Sequence, residues 1–242
     1  MNVPPVTGHP VPAPSPLLAQ HTPPELVVFD VDGTLHDTFR WWAPILRAGL
    51  QRFAAARQMD LALPDDATAE AVVGMKDAGV WAPFLPEGHK DLWPELRATV
   101  LPMEVDEVSR GVDYLFAGTR ELLLHLRALG VKTALASNCR TTYMRAMQHG
   151  QGLAALTDWQ FCLDSPGVRH KTDMLAHAQA AAGARRVVMV GDREPDRDAA
   201  RDLGWPFVWR SNTRCRIDDA DLSWGGAAND LLAALRLPLL PH

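Results

Sequence analysis

The chain has 242 residues, 47% hydrophobic and 22% charged, enough for one large domain or a domain with an insert around a sizeable core. Its 24 Lys and Arg against 29 Asp and Glu give a formal net charge of −5, which excludes the basic footprint of a nucleic-acid binder and reads poorly for an anionic substrate. Mean hydropathy is −0.10 with no apolar run of about 18 residues, and the expectation is no membrane span, no secretory signal and a cytoplasmic setting with Cys139, Cys162 and Cys215 as free thiols.

Residues 1–24 hold eight of the 19 prolines. Proline fixes φ and removes a backbone donor, so an extended tail is expected there. Residues 26–29 (LVVF) form a short continuous apolar run, the pattern of a strand buried on both faces. Residues 38–115 then show no buried strand. Helical periodicity covers 39–58, 65–73 and 87–100, and the stretch holds Trp41, Trp42, Trp81 and Trp93, half of the eight tryptophans. A helix is predicted over 119–129, ending at Gly130, and a strand over 131–136. A weaker strand follows at 160–163, then a helix over 172–182 ending at Gly183. The run 186–190 reads as a buried strand, 196–203 as a helix ending at Gly204, and 206–209 as a weaker strand. Strands alternating with helices of this length imply an α/β fold: a doubly wound, Rossmann-like parallel sheet. The expected organisation is a proline-rich tail (1–24), a core from 25–37 and 116–242, and a small α-helical domain (38–115) inserted between them.

Ligands of open parallel sheets bind beyond the carboxyl ends of the strands. After the first strand comes Asp30-Val31-Asp32-Gly33-Thr34; after the second, Ser137-Asn138; after 186–190, Gly191-Asp192-Arg193-Glu194-Pro195-Asp196. Lys171 stands just before a helix. A carboxylate fixed at a strand end can attack phosphorus. A second one, turned alongside by Gly33, can protonate the leaving oxygen and later take a proton from water. Crowded carboxylates call for a hard cation such as Mg²⁺. Ser137 can hold phosphate oxygens, and Lys171 can neutralise their charge.

Asp30-Val31-Asp32-Gly33-Thr34 resembles the DxDGT motif of the haloacid dehalogenase-like superfamily. Ser137, Lys171 and the GDxxxD run from Gly191 to Asp196 are similar to that family's second, third and fourth motifs, in order, so the resemblance spans residues 25–236. It implies Asp30 as nucleophile and Asp32 as general acid and base. Phosphate would be bound by Ser137, Asn138 and Lys171, and Mg²⁺ by Asp30, the Asp32 carbonyl and Asp192. Asp196 would act through water or by pairing with Lys171.

Within the family, the second acid Asp32 favours phosphate-ester cleavage, because the dehalogenases lack it and the phosphonatases carry alanine there. Thr34 fits phosphatases, whereas sugar phosphomutases often carry valine. The helical insert resembles a C1 cap of the kind found in phosphoglycolate phosphatase-like enzymes, implying a small phosphate ester rather than a phosphoprotein. In the segment Gly74-Met75-Lys76-Asp77, Lys76 is the candidate cap residue for a second anion of the substrate. The leading expectation is an Mg²⁺-dependent phosphatase of a small organic phosphate with no nucleic-acid or membrane partner. The alternatives are a sugar phosphomutase and a metabolite-binding protein without turnover.

Overall fold

The computed structural model describes residues 22–212 and 215–241; most of the proline-rich stretch, residues 1–21, lies outside the described residues. Six strands among the described residues form one parallel sheet: β1 (Leu26–Phe29), β2 (Lys132–Ser137), β3 (Trp159–Cys162), β4 (Val187–Gly191), β5 (Phe207–Arg210) and β6 (Leu222–Trp224). Their order is β3-β2-β1-β4-β5-β6. The chain therefore winds outward to one side of β1 and then to the other, which places a topological switch point beside β1. All four residues of β1 are buried. Alternate side chains point to opposite faces, so Val27 and Phe29 join one apolar cluster while Leu26 and Val28 join the other.

A helical layer follows β1. It holds α1 (Trp42–Arg57), α2 (Asp66–Glu70), α3 (Ala78–Trp81) and α4 (Trp93–Ser109), with 3₁₀ turns at Thr38–Arg40, Ala82–Phe84 and Glu87–Leu92. Gly49 on α1 lies directly against Val100 on α4, so the two longest helices of this layer pack with almost no spacing. The helices that accompany the rest of the sheet are α5 (Thr119–Ala128), α6 (Thr141–Gly150), α7 (Leu153–Leu156), α8 (Lys171–Ala182), α9 (Glu194–Asp202) and α10 (Ala228–Ala234). α4 also packs on α6, where Gly150 fits beneath the Val108 backbone.

Proline accounts for most boundary differences in the helical layer. The predicted helix over 39–58 begins at Trp42, so Pro44 falls in its first turn, where no intrahelical donor is needed. The predicted helix over 87–100 is instead a 3₁₀ turn followed by α4, which starts one residue before Pro94 and runs through Pro102 to Ser109. Asp65 caps α2 by accepting from Thr68 N–H at 2.8 Å, so the helix starts at Asp66, and it stops at Glu70 rather than Val73. The sequence reading missed β6, α6, α7 and α10, which carry no long apolar run.

Candidate active site

The register of the sheet brings the acids together. Phe29 pairs with Val190, and Asp30 N–H donates to Val190 C=O at 2.9 Å. Asp30 and Asp192 thus leave adjacent strand ends nearly side by side. Asp196 sits in the first turn of α9, and its carboxylate accepts from Arg193 N–H at 3.0 Å, closing that turn over the end of β4. Lys171 is the first residue of α8. Its Nζ donates to Asp30 Oδ1 at 2.5 Å and also pairs with Asp196.

Ligand oxygens of Asp30, Asp192 and Asp196 all lie within 4.8 Å of one another, and all three residues are buried. Asp30 Oδ2 and Asp192 Oδ1 have no hydrogen-bond partner among the described residues. Burial, reinforced by the charge of Asp196, pushes the Asp192 carboxyl up to about 7. Burial also raises Asp30, helped by Asp196 and Asp192 and opposed by Lys171. Burial works against the charge on Lys171, but Asp196 and Asp30 outweigh it and hold the ammonium above its ordinary value. Lys171, with the Arg193 guanidinium 3.7 Å from Asp192, thus faces three buried acids, two with unfilled lone pairs, which is the donor set a hard divalent cation takes. Gly33 adopts φ +85°, and a Cβ there would come within 2.6 Å of Asp192 Oδ2. The Asp32–Gly33 backbone is thereby held against the same acid, where the Asp32 carbonyl can add a neutral oxygen.

Asp32 turns its side chain to another set of groups. Its Oδ1 accepts from Thr38 Oγ1 at 2.5 Å and from Tyr143 OH at 2.9 Å, with His36 Nδ1 at 3.7 Å. Burial opposes the charge, but His36, Thr38 and Tyr143 outweigh it and keep this carboxyl below its ordinary value. Ser137 is buried at the end of β2, and its Oγ accepts from Cys139 N–H at 3.3 Å.

Asp32 and Ser137 form the floor of a cavity of about 100 Å³ between the sheet edge and the helical layer. Trp41, Trp42, Trp81, Tyr143, Arg97 and Glu104 are among its walls. Glu104 belongs to α4 and is only 7% exposed; burial and the nearby Asp32 charge, opposed by Arg97, push it up to about 8. Three core side chains bind the loop that closes the cavity. Asn138 Nδ2 donates to Gly74 C=O at 3.0 Å, Arg140 pairs with Asp77 at 2.6 Å, and Arg193 donates to the Glu70 and Ala71 carbonyls at 2.9 and 3.1 Å.

Asp30, Lys171, Asp192 and Asp196 form one buried cluster at the sheet edge, while Asp32 and Ser137 line the adjoining cavity. Asn138 lines the same cavity, with one N–H of its amide donated to Gly74 C=O. Lys76 is exposed and absent from the cavity walls; the cavity cations are Arg97 and Arg140. The reason is local: Met75 and Asp77, on either side of Lys76, are the residues facing the cavity, and Asp77 is fixed there by Arg140. Sequence reasoning missed Thr38, Tyr143, Arg97, Arg140 and Glu104, none of which belongs to a short motif. The three cysteines are free thiols, as expected, and burial pushes that of Cys139 far above its ordinary value. No helix among the described residues is long and apolar enough to cross a membrane.

Comparison with known proteins adds three observations. A family model described as haloacid dehalogenase-like hydrolase matches residues 24–204. The chain is 29% identical over 230 residues to the tyrosine-protein kinase PtkA of Mycobacterium tuberculosis, covering 90% of this chain and 69% of that protein. Among solved structures, it resembles a predicted phosphoglycolate phosphatase from Haemophilus somnus, with a TM-score of 0.70 at 19% identity over 86% of this chain and 97% of the other. It also resembles a mutant of CbbY from Rhodobacter sphaeroides in complex with xylulose-(1,5)bisphosphate, with a TM-score of 0.69 at 18% identity over 88% and 99%.

Proposed function

Since the chain belongs to the haloacid dehalogenase-like hydrolases, we propose that it is an Mg²⁺-dependent phosphatase that hydrolyses a small phosphate monoester through a phosphorylated Asp30. The observation that carries this reading is the buried Asp30–Lys171–Asp196 arrangement with Asp192 alongside, at the carboxyl edge of the sheet and beneath a covered cavity. Asp30, Asp192 and the Asp32 carbonyl would hold Mg²⁺, which when bound supplies positive charge to the transferring phosphoryl group.

The rest of the reaction is derived from the chain's own residues. Lys171 holds Asp30 Oδ1 and fixes the direction of the carboxylate. Asp30 attacks phosphorus, the ester P–O bond breaks, and the alcohol oxygen leaves with a proton from Asp32. Asp32 as found is in its ionised, base-ready form; a phosphoryl dianion beside it raises its affinity for the proton that the first step needs. In the second step Asp32 takes a proton from water, the water oxygen attacks phosphorus, and the bond to Asp30 breaks to release inorganic phosphate. Ser137 lies where it can donate to a phosphoryl oxygen, and the helical layer over the site limits bulk water.

The helical layer over the cavity, with Trp41, Trp42 and Trp81 in its walls, favours a small alcohol as the leaving group. The test is phosphate release from a panel of monoesters with Mg²⁺, together with acid quenching and mass spectrometry of the chain. The expected result is a phosphoryl adduct on Asp30 and loss of turnover in Asp30→Asn or with a chelator. Isomerised sugar phosphate without free phosphate would identify a mutase. ATP-dependent labelling of tyrosine, the activity in the name of the mycobacterial relative, is the third outcome to score.

A further inference from the structure

The walls of the cavity away from the sheet are of two kinds. Trp41, Trp42 and Trp81 supply an apolar surface on one side. Facing the same space are Arg97 and Glu104 of α4, seven residues apart and therefore on one face of the helix, with Leu101 between them. The Arg97 charge favours the ionised form of Glu104, which burial and Asp32 oppose, so the two form a charge-coupled pair on the cavity wall. A buried carboxyl and a half-buried guanidinium are costly to hold in an apolar wall. Trp41 Nε1 is buried with no partner among the described residues. Such groups are tolerated where a ligand is to meet them.

We propose that Arg97 and Glu104 select the alcohol portion of the substrate: Glu104 accepts from a hydroxyl or ammonium, Arg97 donates to a carboxylate, and the tryptophans enclose the carbons between. The substrate class is then a phosphate monoester of a small alcohol that carries both a donor and an anionic acceptor, as in a phosphorylated hydroxy-amino acid or hydroxy acid. This inference rests on the phosphatase reading for the position of the phosphate. The recognition pair lines the cavity from α4 and Asp30 is not one of the lining residues, so binding can be tested without turnover.

The experiment uses the full chain and five esters that separate the two requirements. Ethyl phosphate carries neither group, ethanolamine phosphate and 2-hydroxyethyl phosphate carry a donor, phosphoglycolate carries the acceptor, and phosphoserine carries both. kcat and KM are measured for wild type, Glu104→Leu, Glu104→Gln and Arg97→Met. Binding to Asp30→Asn, alone and combined with each of those changes, is followed by fluorescence of the cavity tryptophans. For wild type, kcat/KM for phosphoserine should exceed that for ethyl phosphate by about tenfold or more. Glu104→Leu should raise KM for the donor-bearing esters and spare phosphoglycolate, and Glu104→Gln should restore part of the loss. Arg97→Met should raise KM for phosphoglycolate and spare the two esters that carry only a donor. Whichever of those two loses more with Glu104→Leu identifies ammonium or hydroxyl.

Equal loss on all five esters, or no preference in wild type, overturns the proposal. If no ester releases phosphate, the phosphatase reading fails by itself, and the fluorescence titrations decide the inference. Saturable phosphoserine binding that weakens with Glu104→Leu supports it; absent or unaltered binding overturns it.

Discussion

Buried Asp192, Asp30 and Glu104 make the stability of this protein depend on pH in an unusual direction, and the first two make it depend on divalent cation as well. Asp192 has an ordinary value of 3.8 and is pushed up to about 7 in the fold. Between those two values the native chain keeps a proton that the unfolded chain has lost. The unfolding free energy must therefore fall as pH rises through this window. At about 1.4 kcal/mol for each tenfold change, full ionisation of Asp192 costs at most about 4 kcal/mol. Asp30 shifts in the same direction, and Glu104, raised from 4.5 to about 8, continues the decline past neutrality. A bound divalent cation requires ionised ligands, so the stabilisation it provides grows with pH and opposes this slope. The assay is urea unfolding followed by tryptophan fluorescence from about pH 5 to about pH 8, once with a chelator and once with millimolar Mg²⁺. With chelator, stability should drop by a few kcal/mol across the range, and Asp192→Asn should flatten part of the drop. With Mg²⁺ the curve should be nearly level. A chelator curve that is flat or rises from about pH 5 to about pH 7 would refute the reasoning, because the acids would then be ionised at no cost in the fold.

Other substitutions probe the elements that position the site. Gly33→Ala puts a Cβ 2.6 Å from Asp192 Oδ2 at a φ of +85°. It should weaken Mg²⁺ activation about tenfold or more, read as the midpoint of an Mg²⁺ titration of turnover; an unshifted midpoint contradicts the placement of that acid. Arg140→Ala frees Asp77 and with it the loop that closes the cavity. The pair is about a third exposed, so stability should change by less than about 1 kcal/mol, while KM rises and protease cuts between residues 58 and 92 become faster. Gly49→Leu forces α1 away from Val100 of α4. Overpacking of this kind costs about 1–3 kcal/mol, which a lowered Tm should report together with loss of cavity-dependent selectivity.

The buried strands and the acids at their ends were legible because both are set by very local pattern. Leu26–Phe29 is apolar throughout because helices cover both faces of the sheet, and the side chains that follow must be at its carboxyl edge whatever the loops do. β6 left no such mark: it is three residues long at the sheet edge, and only Trp224 is buried. In the helical layer, Pro44 and Pro102 look like breaks from the sequence, and each is absorbed for a different reason. Pro44 lies in a first turn whose donors are free, whereas Pro102 is carried through α4 by the packing of that helix on α1 and α6. The partners of Asp32 were hidden for another reason. Tyr143 is 111 residues from Asp32, and nothing in its neighbourhood marks it. Only the β1–β2 pairing and the direction of α6 bring its hydroxyl to the carboxylate. Lys76 shows the same limit from the other side. A loop lysine after a glycine invites a substrate-binding role, but backbone direction decides which of three consecutive residues faces the cavity, and Arg140 selects Asp77.

The net charge of −5 reads poorly for an anionic ester only while charge is counted over the whole surface. At the sheet edge the relevant balance is Lys171 and Arg193 against Asp30, Asp192 and Asp196, all buried, so water screens them little and each interaction is strong. The unpaired oxygens of Asp30 and Asp192 favour a dication before any substrate arrives. Three carboxylates and a phosphate gather there only against Lys171, the flanking Arg193 guanidinium and a dication together, and the fields that would repel a phosphate then orient it. The acidic composition therefore excludes long-range steering as the source of substrate affinity and requires short-range recognition in its place. In this fold that recognition falls to the residues lining the cavity, among them Arg97 and the buried Glu104.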